Sequence, residues 1–180
     1  MSMNISGDGR LFSPEIEDEI DDETTARDVA EGSRPVVYTD GACLGNPGPG
    51  GWGWAHGTEH YASGAEPKTT NQRMELTAVL EALRAFPGRV EVVSDSTYVV
   101  NCFRDRWWQG WRRRGWRNSK GQLVANRDLW EPLVAEVVDL RGDQEVVFRW
   151  VKGHAGEEMN EFVDLLATTA ARTQQDIRVP

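Results

Sequence analysis

Two spacings of apolar residues alternate along the chain, and each predicts a kind of element. From Pro35 to Asp40 the β-branched and aromatic residues predict a strand. Gly41 to Gly53 is so rich in glycine and proline that it predicts a turn region. Gly51–His56 and about Glu59–Gly64 then predict short antiparallel strands. From Thr70 to Phe86 the spacing changes: Leu76, Val79, Leu80, Leu83 and Phe86 recur three and four apart, as on one face of a helix. Thr69 or Thr70 can cap its start, and Pro87-Gly88 ends it. Arg89–Ser94 alternates as a strand, and Asp95 to about Phe103 reads as a short helix. Leu129, Leu133, Val134, Val137 and Val138 put a helix on Arg127–Leu140. Glu145–Val151 predicts a strand and Glu158–Thr173 a last helix. The order βββ, αβα, αβα predicts one α/β or α+β domain around a mixed sheet, without internal repeats.

The net charge of −9 over 180 residues hides an uneven distribution. Residues 1–34 hold ten acids and three bases, with seven acids in the nine residues Glu15–Glu23. Such a segment buries too little apolar surface to offset ordering entropy. It is expected to be a disordered acidic tail ahead of a domain at 35–175; a tail that competes with DNA for a basic segment is the functional alternative. That basic segment is residues 104–127, with eight bases and one acid, Asp105. A local patch governs phosphate binding more than the total charge does. No apolar run is long enough for a membrane span. The acidic N-terminus lacks the features of a secretory signal, which predicts a cytoplasmic protein. Cys43 and Cys102 stand in no CxxC spacing and fit a reducing compartment.

Four acids carry the candidate chemistry. Asp40 and Asp95 each follow a predicted strand, where α/β sheets place their sites. An aspartate that merely ends a strand and caps the next helix explains either one alone. Glu75 shares a helical stripe with Ala78, Val79 and Ala82, and Asp164 one with Ala167, Thr168 and Ala171. A carboxylate in such a stripe needs a partner, either a basic residue such as Arg73 or Arg84, or a metal. Together the four form an all-oxygen set suited to Mg²⁺, or Mn²⁺ as a substitute. There is no His/Cys cluster with zinc spacing. Gly45, Gly48 and Gly50 run into a strand without a following Lys-Ser/Thr, so no P-loop or dinucleotide fingerprint is supported.

Tyr38–Gly53 (YTDGACLGNPGPGGWG) resembles the first motif of bacterial ribonuclease H type 1. Thr69–Leu76 is similar to its second motif, Ser94–Tyr98 to the third and Trp150–Gly156 to the fourth; Asn160-Glu161 and Asp164 complete the pattern. The likeness covers roughly residues 35–172. It implies a ribonuclease H-like α/β fold, a five-stranded mixed sheet with helices on both faces. It implies that Asp40, Glu75, Asp95 and Asp164 bind metal, and that His154 assists proton transfer and product release. It implies cleavage of the RNA strand of an RNA–DNA hybrid by two-metal-ion catalysis. The 2′-hydroxyl marks the RNA strand, and the matching contacts would be Cys43, Asn46, Asn71 and Gln72. Gln72 stands where relatives commonly have Asn, and Thr97 where Gln is frequent. Thr70 and Arg73 resemble positions beside a DNA phosphate. Residues 107–117 interleave four tryptophans with four arginines and resemble the basic handle of some relatives. There Trp107, Trp111, Arg112, Arg113 and Arg114 are candidates for gripping the DNA strand, and Trp116 is a candidate core anchor. A monomer is expected. Two rivals stay open: an integrase- or exonuclease-like domain of the same superfold, and a hybrid-binding module without catalysis.

Overall fold

A computed structural model of the protein describes residues 34–142 and 145–179. Residues 1–33 of the acidic tail therefore lie outside the described residues. Among the described residues six strands form one sheet: β1 (Val36–Cys43), β2 (Gly48–His56), β3 (His60–Thr69), β4 (Val90–Ser94), β5 (Val146–Trp150) and β6 (Ile177–Val179). Their spatial order is β5-β4-β1-β2-β3-β6. β1, β2, β3 and β6 pair antiparallel, while β4 and β5 run parallel to β1. The mixed sheet is the expected one, with one strand more. β6 has three residues, too few for an alternation to show.

The turn region predicted over Gly41–Gly53 shrinks to residues 44–47. β1 continues through Gly41 to Cys43, and β2 begins at Gly48. The glycines there mainly serve close packing. A Cβ on Gly41 would lie 2.2 Å from the Glu75 nitrogen; one on Gly51 would lie 2.3 Å from the Ala167 carbonyl oxygen. Helices on both faces thus rest directly on the strand backbone.

Those helices are α1 (Asn71–Ala85), α2 (Thr97–Arg104), α3 (Trp107–Arg113), α4 (Arg127–Val134) and α5 (Glu158–Thr173). Thr70 caps α1 by accepting from the Arg73 N–H. Ser96, rather than Asp95, caps α2. α4 contains Pro132 and runs into a wider π-helical turn, Ala135–Leu140. The periodic residues Leu76, Val79 and Leu83 are fully buried in the larger core, with Trp130 and Leu133 of α4. Each such aliphatic side chain contributes roughly 1.5–3 kcal/mol by burial. The Trp130 indole donates to the Tyr98 hydroxyl at 2.7 Å. A smaller cluster, Ala55, Val163 and Leu166, lies under α5.

α1 ends by an unusual route. The Arg141 side chain, 6% exposed, donates to the carbonyls of Leu83, Phe86 and Gly88 and pairs with Glu136. A residue beyond the π turn therefore satisfies carbonyls that a helix end would otherwise leave without donors.

Candidate active site

Asp40 sits mid-β1, at 8% exposure, on a strand that its neighbours bury. The close approach of α1 at Gly41 brings Glu75 to the same place. Asp95 lies just past the end of β4, and Asp164 comes from α5 on the other face. All four acids line one open cleft of about 470 Å³, together with His154, Asn71 and Cys43.

The ion-pair alternative for Glu75 does not hold. Arg73 binds Asp128 with two hydrogen bonds, at 3.0 and 2.7 Å, and Arg84 binds Glu81. Glu75 instead accepts from Asn71 Nδ2 at 2.9 Å and from Ser96 Oγ at 2.6 Å. Asp95 accepts from Asn160 Nδ2 at 3.3 Å, and Asp40 Oδ1 from the Gly41 N–H at 2.7 Å. Among the described residues, none of the four carboxylates meets an arginine or lysine in an ion pair.

This crowding of like charge shows in the proton affinities. Burial, then the carboxylates of Asp95, Asp164 and Glu75, push Asp40 from 3.8 up to about 8, against the opposing bond from Gly41. Glu75 is also raised, by burial first and then by Asp95, although the bonds from Ser96 and Asn71 oppose the shift. Among the described residues no three His, Cys, Asp or Glu side chains form a group that could hold a metal ion. The donor set nevertheless fits hard cations: it is all oxygen and lacks a countercharge.

His154 projects from the loop between β5 and α5 at a left-handed φ of 53°, between Gly153 and Gly156. Gly153 is packed against Asp95: a Cβ there would stand 2.6 Å from its Oδ2. Cys43 donates its thiol to the main-chain carbonyls of Thr69 and Gly48, and Asn46 is exposed in the turn before β2. Gln72 is exposed on α1. Thr70 is the cap residue, and Arg73 is occupied by Asp128.

The handle divides into two kinds of residue. Trp111 packs edge-on against Trp130 at 5.4 Å, and Trp116 lies 6.2 Å from Trp111, so both serve as anchors. Arg112 is held by Asp139, at 2.9 and 2.6 Å, and stands over the Trp108 ring. Arg113 and Arg114 are exposed, as is Trp107 at 37%. Sequence reasoning left Ser96 and Asn160 without a site role. Asn160 is 2% exposed, and its Oδ1 has no hydrogen-bond partner among the described residues. A hydrophilic side chain among α5's buried positions was the signal that could have found it.

Comparison with known proteins gives this arrangement its family. The family model for RNase H matches residues 33–172. A ribonuclease H of Pelobacter propionicus is 48% identical over 155 residues, covering 83% of this chain and 92% of the relative. One from Thermus thermophilus is 46% identical over 152 residues, covering 82% and 89%. The crystal structure of LC9-RNase H1, described as a type 1 RNase H with the type 2 active-site motif, is 36% identical. It superposes with a TM-score of 0.65, over 82% of this chain and 77% of that one. The fold, the extent of the family match and relatives of nearly half-identical sequence establish that the chain belongs to the RNase H family, as a ribonuclease H of type 1 and a metal-dependent nuclease.

Proposed function

We propose that the protein is an endonuclease that hydrolyses the RNA strand of RNA–DNA hybrids, with Asp40, Glu75, Asp95 and Asp164 holding two Mg²⁺ ions and Mn²⁺ able to replace them. The observation that carries this reading is four carboxylates in one cleft without a basic partner, among which Asp40 is raised to about 8. A structural set of acids would be paired. Divalent ions held there would supply Lewis-acid chemistry, activating a water and neutralising charge on the departing 3′-oxygen, with 5′-phosphate and 3′-hydroxyl ends as the expected products.

The chain's own residues supply the rest. Asp40 must lose its proton before it can ligate, and the Gly41 N–H orients its Oδ1. Ser96 and Asn71 aim the two oxygens of Glu75. His154, exposed and on a glycine-flanked loop, exchanges a proton at the cleft edge and assists release of the product. Cys43, Asn46, Asn71 and Gln72 face the RNA strand and read its 2′-hydroxyls. Thr70 and Arg73 lie along the DNA strand. Arg113, Arg114 and Trp107 supply the handle's contact with it, while Arg112 and Trp111 hold the handle in shape. The catalytic domain takes in the expected 35–175 and, beyond it, β6 at Ile177–Val179; the acidic residues 1–34 precede it in the sequence. The enzyme acts as a cytoplasmic monomer; among the described residues no helix is long and apolar enough to cross a membrane.

The test is a labelled hybrid incubated with Mg²⁺ and then EDTA, beside single-stranded RNA, duplex RNA and duplex DNA. Hybrid alone should be cut, only with the metal, and Asp40→Asn should abolish cutting while the fold persists. Preferential degradation of single-stranded DNA would favour the exonuclease-like rival. Tight hybrid binding without cleavage would favour the binding module.

A further inference from the structure

Seven residues, 151–157, carry His154 between β5 and α5. Both ends of this loop are tied to strands that lead to the acids of the cleft. At its start, Trp150 Nε1 donates to the Asp95 main-chain carbonyl at 3.0 Å, and the Val151 N–H donates to Ser94 at 3.1 Å. At its end, the Tyr38 hydroxyl donates to Glu157 Oε1 at 2.7 Å, across 119 residues of sequence. Tyr38 stands on β1 two residues before Asp40.

Glu157 occupies the N-cap position of α5, where a side chain ordinarily accepts from the first helical N–H groups. It makes no such bond; its carboxylate turns to Tyr38 instead. Tyr38 is itself held firmly. Its ring packs against the cluster under α5. The Arg149 guanidinium lies 5.9 Å from the ring centre, and Arg149 is fixed by Glu91 at 2.6 Å. Tyr38, Val93 and Arg149 share one row across β1, β4 and β5. The hydroxyl is therefore presented by the sheet. The adaptable partner is the loop, with Gly153, Gly156 and a left-handed His154.

We propose that Tyr38, acting through Glu157, is a positioning residue that fixes the far anchor of the His154 loop and so sets how often the imidazole stands over the cleft. The inference rests on the nuclease reading above. Neither Tyr38 nor Glu157 lines the cleft, so substrate contact does not explain their bond. Tyr38→Phe removes one hydroxyl and keeps the ring. A hydrogen bond to a carboxylate is stronger than a neutral one, and losing it should shift the loop's positioned fraction roughly 3- to 10-fold.

The full chain is assayed on labelled hybrid with Mg²⁺. Tyr38→Phe and Glu157→Ala should each lower kcat roughly 3- to 10-fold with KM little changed. The double variant should be no worse than either single one. Glu157→Gln keeps an acceptor for the hydroxyl and should recover most of the loss. In a His154→Ala background, Tyr38→Phe should have no further effect. Amide hydrogen exchange over 152–157 should quicken in Tyr38→Phe while the core of α5 keeps its protection. Multiplying effects in the double variant, unchanged kcat, or unchanged loop exchange would each overturn the tether. A wild-type chain that fails to cut hybrid would sink the nuclease reading instead, and the exchange measurement would still decide the tether.

Discussion

Asp40→Asn should make the metal-free protein more stable at alkaline pH. Asp40 is moved from 3.8 to about 8 by burial and by its three carboxylate neighbours. A tenfold change in proton affinity corresponds to about 1.4 kcal/mol, so the ionised carboxylate costs the native state roughly 6 kcal/mol at most. The cleft is open, and water entering it raises the effective dielectric; about 2–3 kcal/mol is the expected residue. The native pKa lies above the unfolded one, so the native protein binds the proton more tightly. The stabilisation from that proton is complete below about pH 4 and is lost as pH rises through about 8. Asparagine keeps the shape, can still accept from Gly41, and carries no charge at any pH. In EDTA at pH 8.5 the variant should melt about 5–10 °C above the parent by calorimetry, at about 2–4 °C per kcal/mol for a chain of this size. The gap should shrink steadily toward pH 4. Saturating Mg²⁺ should close it from the other side, by stabilising the parent alone. A variant no more stable than the parent at pH 8.5, or a gap that ignores pH, would refute the crowding argument.

The crowded carboxylates, the close α1 contact and the braced handle each have a measurable consequence. Because Asp40 must be deprotonated to ligate, half-saturation for Mg²⁺ should weaken by up to about tenfold for each pH step below 8; a pH-independent midpoint in a metal titration would count against this. Gly41→Ala should cost about 3 kcal/mol, the upper end for overpacking, and abolish cleavage, since its Cβ would meet the α1 backbone at Glu75; denaturant melts and a cleavage assay check both. Replacing Arg112, Arg113 and Arg114 together by Ala should raise KM and flatten its salt dependence with kcat largely kept; only Arg112→Ala should also lower stability, by about 0.5–1 kcal/mol, through its half-exposed Asp139 pair.

Elements defined by local spacing were legible. The α1 periodicity named Leu76, Val79 and Leu83, all buried, and the end of β4 pointed to Asp95; Asp40 was expected at a strand end too but lies mid-β1, because the glycines after it continue the strand to Cys43. Glycine was harder to read, because the same residue that makes a turn also lets a helix lie on a strand. Gly41 and Gly51 do the latter, and nothing local to them distinguishes the two uses. Partnerships over long separations were hidden for a different reason. Arg112 finds Asp139, and Tyr38 finds Glu157, only once folding has brought their separate elements together. Arg112 and Arg113 look alike in the chain, yet one braces the handle and the other is exposed. Ser96 and Asp95 stand side by side before α2 and cap helices equally well, so the chain alone does not show that Ser96 takes the cap and donates to Glu75.

The guanidinium of Arg141 has a reach beyond the helix it finishes. α1 delivers Glu75 near one end and hands its last carbonyls to a residue more than fifty positions downstream at the other. Loosening the wide turn at 135–140 would therefore unfasten a helix that looks, in sequence, complete at Phe86. The two segments should open as one cooperative unit, so a disturbance on the far side of the domain would be felt as a misplaced acid in the cleft.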